Sequence, residues 1–273
     1  MNQICLTCKS IKNIRNTTYK TKKANWKLKS GIKSIFPNDI IPDLNNIKES
    51  RIKNYDMKHS LNLNKSDSGK YVLYYAADLR IKCLEIPNAK DSYNTFKNMG
   101  ISRLDSDGQT TLYLRCPNVY KENNRTFHPH VHFILSNKDC TKWNDKLYTK
   151  IIVCDINKKY VQNVVNNKCA IILNALPMKY YIKNRIPNSF SLPTEILNDL
   201  TDKEIINYIS NMLIYYPKID KKVKNKQLNI MDIPIITYCY SKKCNASEKL
   251  CNRLLKIGFI NIKEYSNGIL DWY

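Results

Sequence analysis

The chain has 273 residues, 45 of them Lys or Arg against 23 Asp or Glu, giving a formal charge of +22. That length accommodates two domains of ordinary size, and a hydrophobic share of 43% can fill real cores. No apolar run approaches the ~20 residues of a membrane span and no apolar signal core opens the chain, which argues against transmembrane and secreted classes. Ten cysteines in such a chain are expected as thiols of a reducing, intracellular compartment rather than as a disulfide framework. The drift toward Lys, Asn, Ile and Tyr, with six Gly, is that of an AT-rich coding genome such as those of large DNA viruses of protists. Host cytoplasm or a virion would then be the setting.

Residues 1–65 read as a basic, weakly structured arm, with Trp26, Ile32, Ile35 and Phe36 as its obvious anchors. The first 38 residues hold nine Lys or Arg and no Asp or Glu, a field that would attract nucleic acid without sequence preference. Tyr19 and Trp26 stand nearly alone among those charges, so stacking on bases is not expected. Cys5-Leu-Thr-Cys8 is a lone C-x-x-C pair. A structural zinc site needs four ligands, and no second close pair completes one.

Residues 66–150 alternate as strands, in Tyr71–Ala77, Arg80–Ile86, Thr110–Arg115 and His130–Leu135, punctuated by turns at Asp105-Ser-Asp-Gly108 and Cys116-Pro-Asn118. Such short strands predict an all-β, sandwich-like domain. His128, His130 and His132 alternate, so on an extended strand their imidazoles would share a face. Pro129 marks an edge or the start of that strand. Imidazoles in this array suit a transition metal, iron or zinc. The stretch from Asp107 to Tyr120, followed by His130-Val-His-Phe133, resembles intradiol ring-cleavage dioxygenases. The resemblance implies Tyr120, His130 and His132 as iron ligands; the second tyrosine ligand is left open, with Tyr74 and Tyr75 as options.

Residues 151–273 alternate strands and helices, the pattern of a parallel sheet with helices on both faces. Ile151–Cys154, Cys169–Leu173 and Ile235–Tyr238 read as strands; Lys159–Asn166, Thr201–Ile214 and Ala246–Ile257 read as helices. Thr201 and Glu204 have capping-box spacing, and Lys221–Lys226 reads as a solvated connecting loop. The run Ile235–Tyr238 ends abruptly in Cys239, and the polar loop Tyr240-Ser-Lys-Lys-Cys-Asn-Ala-Ser247 opens into a helix. A thiol placed there faces backbone N–H groups at a helix N-terminus, where thiolate is favoured. Lys242 and Lys243 add positive charge at the rim.

This C-terminal region resembles the rhodanese sulfurtransferases. Tyr181–Pro193 is similar to the family's Gly-His-Ile-Pro-Gly-Ala segment, with Asn184 and Arg185 where Gly and His are usual. Ala170–Leu176 resembles the strand that normally ends in Asp-x-Arg, replaced here by Asn174 and Leu176. The resemblance implies an α/β rhodanese-like fold over 151–273 and a persulfide carried on Cys239, loaded by a small anionic donor and passed to a thiol or cyanide-like acceptor without a cofactor. The loop departs from the family: Cys244 stands where an Arg is usual, and the loop is longer. Lacking that Arg, it does not suit the phosphatases built on the same fold. Cys244 could resolve a persulfide or close a disulfide with Cys239. Two other readings remain open at this point, a non-catalytic binding or virion-associated protein and a metal-dependent oxidase or dioxygenase on the histidine strand.

Overall fold

The computed structural model describes residues 19–20, 42–78, 84–93, 96–144 and 146–273. The C-x-x-C pair and most of the basic arm, including its four anchors, therefore lie outside the described residues. Those described divide into two compact units, the second built on Val153–Tyr273.

The first unit contains β1 (Tyr19–Lys20), β2 (Met57–Asn62), β3 (Tyr71–Ala76), α1 (Ala89–Tyr93), β4 (Met99–Arg103), β5 (Gln109–Leu114), β6 (Tyr120–Glu122), β7 (Arg125–Phe127), β8 (His130–Leu135) and β9 (Tyr148–Ile151). Its strands pair antiparallel: a five-stranded sheet in the order β1-β9-β8-β3-β4, and the pairs β2-β5 and β6-β7. An inner strand must present apolar groups to both faces, and β3, between β4 and β8, does so with Val72, Leu73, Tyr74, Tyr75 and Ala76 all buried. The β6-β7 hairpin turns through Asn123 and Asn124, both at positive φ (49° and 60°). Asparagine tolerates that region, and a turn of this hand matches strand twist.

Several sequence expectations change here. Met57–Asn62, placed in the weakly structured arm, is a strand held by β5, with Leu61 fully buried. β8 is an inner strand, buried at all six positions, and Pro129 lies just before it. Of the strand expected at Arg80–Ile86, residues 80–83 lie outside the described residues, and Leu84–Ile86 are not extended. The run Ile151–Cys154 is divided: Ile151 ends β9, and Cys154 opens a strand of the second unit. Nor are all the thiols free, because Cys116, Cys154 and Cys169 are disulfide-bonded, whereas Cys140, Cys239, Cys244 and Cys251 are not.

The second unit runs β10 (Cys154–Asp155), α2 (Lys158–Asn167), β11 (Ile171–Asn174), α3 (Met178–Lys183), β12 (Ser189–Ser191), α4 (Asp202–Asn211), α5 (Pro217–Lys224), β13 (Ile235–Tyr238), α6 (Ala246–Ile257), β14 (Ile262–Tyr265) and α7 (Gly268–Trp272). All five strands are parallel, in the order β10-β14-β13-β11-β12, and helices flank the sheet. β13 is central and every one of its residues is buried, which explains its unbroken apolar character. α4 starts on the expected capping box: the Glu204 N–H donates to Thr201 Oγ1, and the Thr201 N–H donates back to Glu204.

Most of Lys221–Lys226 is helical, which corrects the expected loop. Pro217 opens α5 where a missing N–H costs least, Ile219 anchors it in the core, and Asp220 pairs with Lys224 one turn on (2.6 Å). Lys221, Lys222 and Lys224 fall in the last turn, where the helix dipole favours positive charge.

Candidate active site

β13 delivers Cys239 to the C-terminal end of the sheet, beside the ends of β11 and β14. Its thiol has no exposed surface. The Ser247 hydroxyl lies 3.2 Å from Cys239 Sγ and itself donates to Glu264 Oε1 at 2.8 Å. The Cys244 carbonyl, 3.2 Å away, accepts from the same thiol. Ser247 is the second residue of α6, and its N–H also points at Cys239.

The loop thus sets Cys244 beside Cys239, and Cys244 is only half-buried, with the Lys249 ammonium acting on its thiol. Burial pushes the Cys239 thiol up, against the pull of Ser247. For Cys244, burial also works against the thiolate, but the amides, the neighbouring thiol and Lys249 outweigh it and hold the thiol below its usual range. Burial thus works against a thiolate on Cys239, while the surroundings of Cys244 favour one there.

Around this pair, Lys242, Lys243, Asn245 and Tyr240 are exposed, Ser241 and Ala246 are half-buried, and Ser247 is buried. Gly268 closes the bowl from behind. The Ile269 N–H donates to the Cys239 carbonyl (2.9 Å), and the Leu270 N–H donates to that of Tyr240 (3.0 Å). Sequence reasoning missed Glu264, which follows Lys263 in the strand Ile262–Tyr265 and lies level with Thr237.

Residues 157–273 match the family model described as Rhodanese-like domain. Among solved structures, the chain is similar to the BH2092 protein of Bacillus halodurans at 20% identity, over 44% of this chain and 70% of that one, with a TM-score of 0.30. The single-domain sulfurtransferase RDL2 of Saccharomyces cerevisiae matches at 15% identity, over 44% and 89% of the two chains, with a TM-score of 0.31. The human single-domain sulfurtransferase TSTD1 matches at 8% identity, over 44% and 96%, also with a TM-score of 0.31. No curated protein matches the chain.

The second unit carries a rhodanese-like domain. In this domain the neighbouring strand β11 ends in a neutral residue. Asn174, at the end of β11, is buried and its Oδ1 accepts the Leu176 N–H at 2.8 Å. Asn184 and Arg185 are exposed, and the Arg185 carbonyl accepts from the Tyr273 hydroxyl. The cationic groups closest in sequence to the thiols are therefore lysines, not an arginine clamp.

In the first unit the histidine strand gathers a separate cluster. His130 and His132 are buried with their Nε2 atoms 3.0 Å apart. The Tyr93 and Tyr120 hydroxyls lie 3.2 and 3.3 Å from His130 Nε2. His128 precedes the strand and takes part through its backbone: its carbonyl accepts from His130 Nδ1 at 2.5 Å. On the far side, His132 Nδ1 lies 2.8 Å from Thr149 Oγ1, and the ring also bonds the Tyr148 backbone. The His130 tautomer that donates Nδ1–H to the His128 carbonyl turns its Nε2 lone pair inward. Burial holds both imidazoles neutral, His130 down to about 4.

No group of three or more His, Cys, Asp or Glu side chains gathers as a metal set among the described residues. Four donors are reached here only by counting the tyrosines. The separations of 3.0–3.3 Å from His130 Nε2 to the other three donor atoms are hydrogen-bond lengths. Tyr93 comes from α1 and not from either of the tyrosines considered on sequence. Tyr75 packs on the His132 ring (5.1 Å between centroids), and the Tyr74 hydroxyl accepts from the Tyr113 N–H.

Proposed function

We propose that the rhodanese-like domain is a sulfurtransferase that holds sulfane sulfur as a persulfide on Cys239. The observation that carries this reading is the Cys239 thiol at the end of the central strand, hydrogen-bonded to Ser247 in the first turn of α6. The chemistry needs a thiolate, groups that hold the added sulfur, and a path for an anionic donor. Cys239 supplies the first once its proton leaves toward Ser247 and Glu264, and the Ser247 N–H faces the added charge. Lys242 and Lys243 on the exposed loop favour a donor such as thiosulfate, and the acceptor is a thiol or a cyanide-like nucleophile. Sulfur transfer of this type requires no cofactor. Incubation with thiosulfate followed by mass spectrometry should find one added sulfur, and a thiol or cyanide should remove it. Turnover surviving in Cys239→Ser would end the assignment.

A second reading concerns the first unit. The convergence of two imidazole nitrogens and two phenol oxygens favours a bound transition metal, iron or zinc, held by His130, His132, Tyr120 and Tyr93. Iron there would supply redox chemistry of the kind an oxidase or dioxygenase needs. Elemental analysis of protein purified without chelators should find near-stoichiometric metal that His130→Ala/His132→Ala loses, with a visible tyrosinate band if the metal is iron. Metal-free protein would favour a purely structural polar cluster. The basic residues of 1–38 support non-specific nucleic-acid binding, and their deletion should flatten its salt dependence.

A further inference from the structure

We infer that Cys244 is the thiol that first takes the sulfur from the donor, and that Cys239 receives it from Cys244. The inference rests on the sulfur-transfer reading above and assigns the order of events within that site. Cys239 has no surface that a solvent-borne donor can touch, whereas Cys244 is half-buried in a loop whose other side chains are mostly exposed. The donor therefore meets Cys244 first. The Cys244 backbone carbonyl meets the Cys239 thiol at 3.2 Å, so the two cysteines are neighbours within the loop. The Lys249 ammonium favours an anion on Cys244.

In the first step the Cys244 thiolate attacks the outer sulfur of thiosulfate. The S–S bond of the donor breaks, sulfite leaves with the electron pair, and Cys244 becomes a persulfide. In the second step the Cys239 proton passes to Ser247 as the Ser247 proton passes to Glu264, along contacts of 3.2 and 2.8 Å. Cys239 then attacks the outer sulfur of the Cys244 persulfide, and Cys244 leaves as the thiolate it was at the start. One sulfane sulfur has moved inward with its oxidation level, Cys244 is back at the thiolate level, and Glu264 holds the proton that left Cys239. The sulfur ends on the buried thiol, away from water and from stray nucleophiles.

The test uses the full chain, thiosulfate, a rapid quench with an alkylating agent, and peptide mass spectrometry to locate the added sulfur. Wild-type protein should mark Cys244 before Cys239. Cys239→Ser should accumulate the sulfur on Cys244. Cys244→Ser and Cys244→Ala should load Cys239 about tenfold more slowly or worse, because loading follows access and thiolate fraction. Melting curves matching wild type would show that both variants are folded. Loading of Cys239 at the wild-type rate in either Cys244 variant, or marking of Cys239 first in wild type, would overturn the order while leaving sulfur transfer intact. A wild-type protein that takes no sulfur at all would remove the transfer reading itself.

Discussion

Replacing Gly268 by alanine should disturb the thiol site from a residue that carries no side chain. Gly268 sits at φ +63°, and a Cβ built there would lie 2.3 Å from the Cys239 carbonyl oxygen and 2.7 Å from the Tyr240 carbonyl carbon and oxygen. All three are backbone atoms, so no side chain can swing aside. The left-handed conformation alone costs a residue with a Cβ about 1–2 kcal/mol. Relieving the contact means moving α7 from the Cys239–Tyr240 backbone, which loosens the bonds from the Ile269 and Leu270 N–H groups. Each such bond contributes about 1 kcal/mol net. The sum is about 3–4 kcal/mol, a factor of about 10² to 10³ in the equilibrium of the C-terminal unit. Chemical denaturation should show that unit unfolding earlier, and hydrogen exchange at Ile269 and Leu270 should accelerate. Sulfur loading from thiosulfate should slow alongside, because the carbonyls that position the loop have moved. A Gly268→Ala protein with an unchanged unfolding midpoint and wild-type loading would refute the view that α7 fixes the bowl.

Ser247→Ala removes the hydroxyl between Cys239 and Glu264 and should slow the arrival of sulfur on Cys239 by about 10²-fold, the size expected for a lost proton path; an unaltered rate would take Ser247 out of the mechanism. Loading should follow a thiolate held below the usual thiol range, so its rate should fall only as pH drops through that lowered value, and a midpoint near the free-thiol value of ~8.5 would contradict that lowering. Thr201→Ala breaks the capping box of α4 and should cost about 1 kcal/mol in denaturant with no change in sulfur transfer. His59 is held down to about 4 from 6.5 by burial, with Lys150 adding to it. The unfolded chain therefore takes up that proton first as pH falls. Stability should fall between pH 6.5 and 4, by at most about 3 kcal/mol, and His59→Gln should lessen the slope; equal slopes would exclude His59 as the source.

The local features of this protein were written in short stretches of its sequence. Ala246–Ile257 reads as a helix because Leu250, Leu254 and Leu255 recur on one face, and those side chains are buried. Thr201 and Glu204 lie three residues apart and cap α4 as their spacing requires. The central strand ending at Cys239 was legible because a parallel strand covered on both sides has to be apolar throughout. Charge alone misled at Lys221–Lys226, where Pro217 and Ile219 decide the helix and the lysines only decorate its end.

What only the tertiary structure decided is which groups meet. A helix N-terminus after Cys239 predicts a thiolate there, yet the folded chain buries that thiol, and burial pushes it up. Glu264 reaches the site through the register of β14 on β13, and Gly268 through the turn that follows. Tyr93 joins His130 from 37 positions away, a separation no local pattern records. Periodicity and capping depend on neighbours within a few residues, so the sequence displays them directly. Burial, shared protons and donor convergence depend on atoms brought together from distant positions, and only the packed chain determines them.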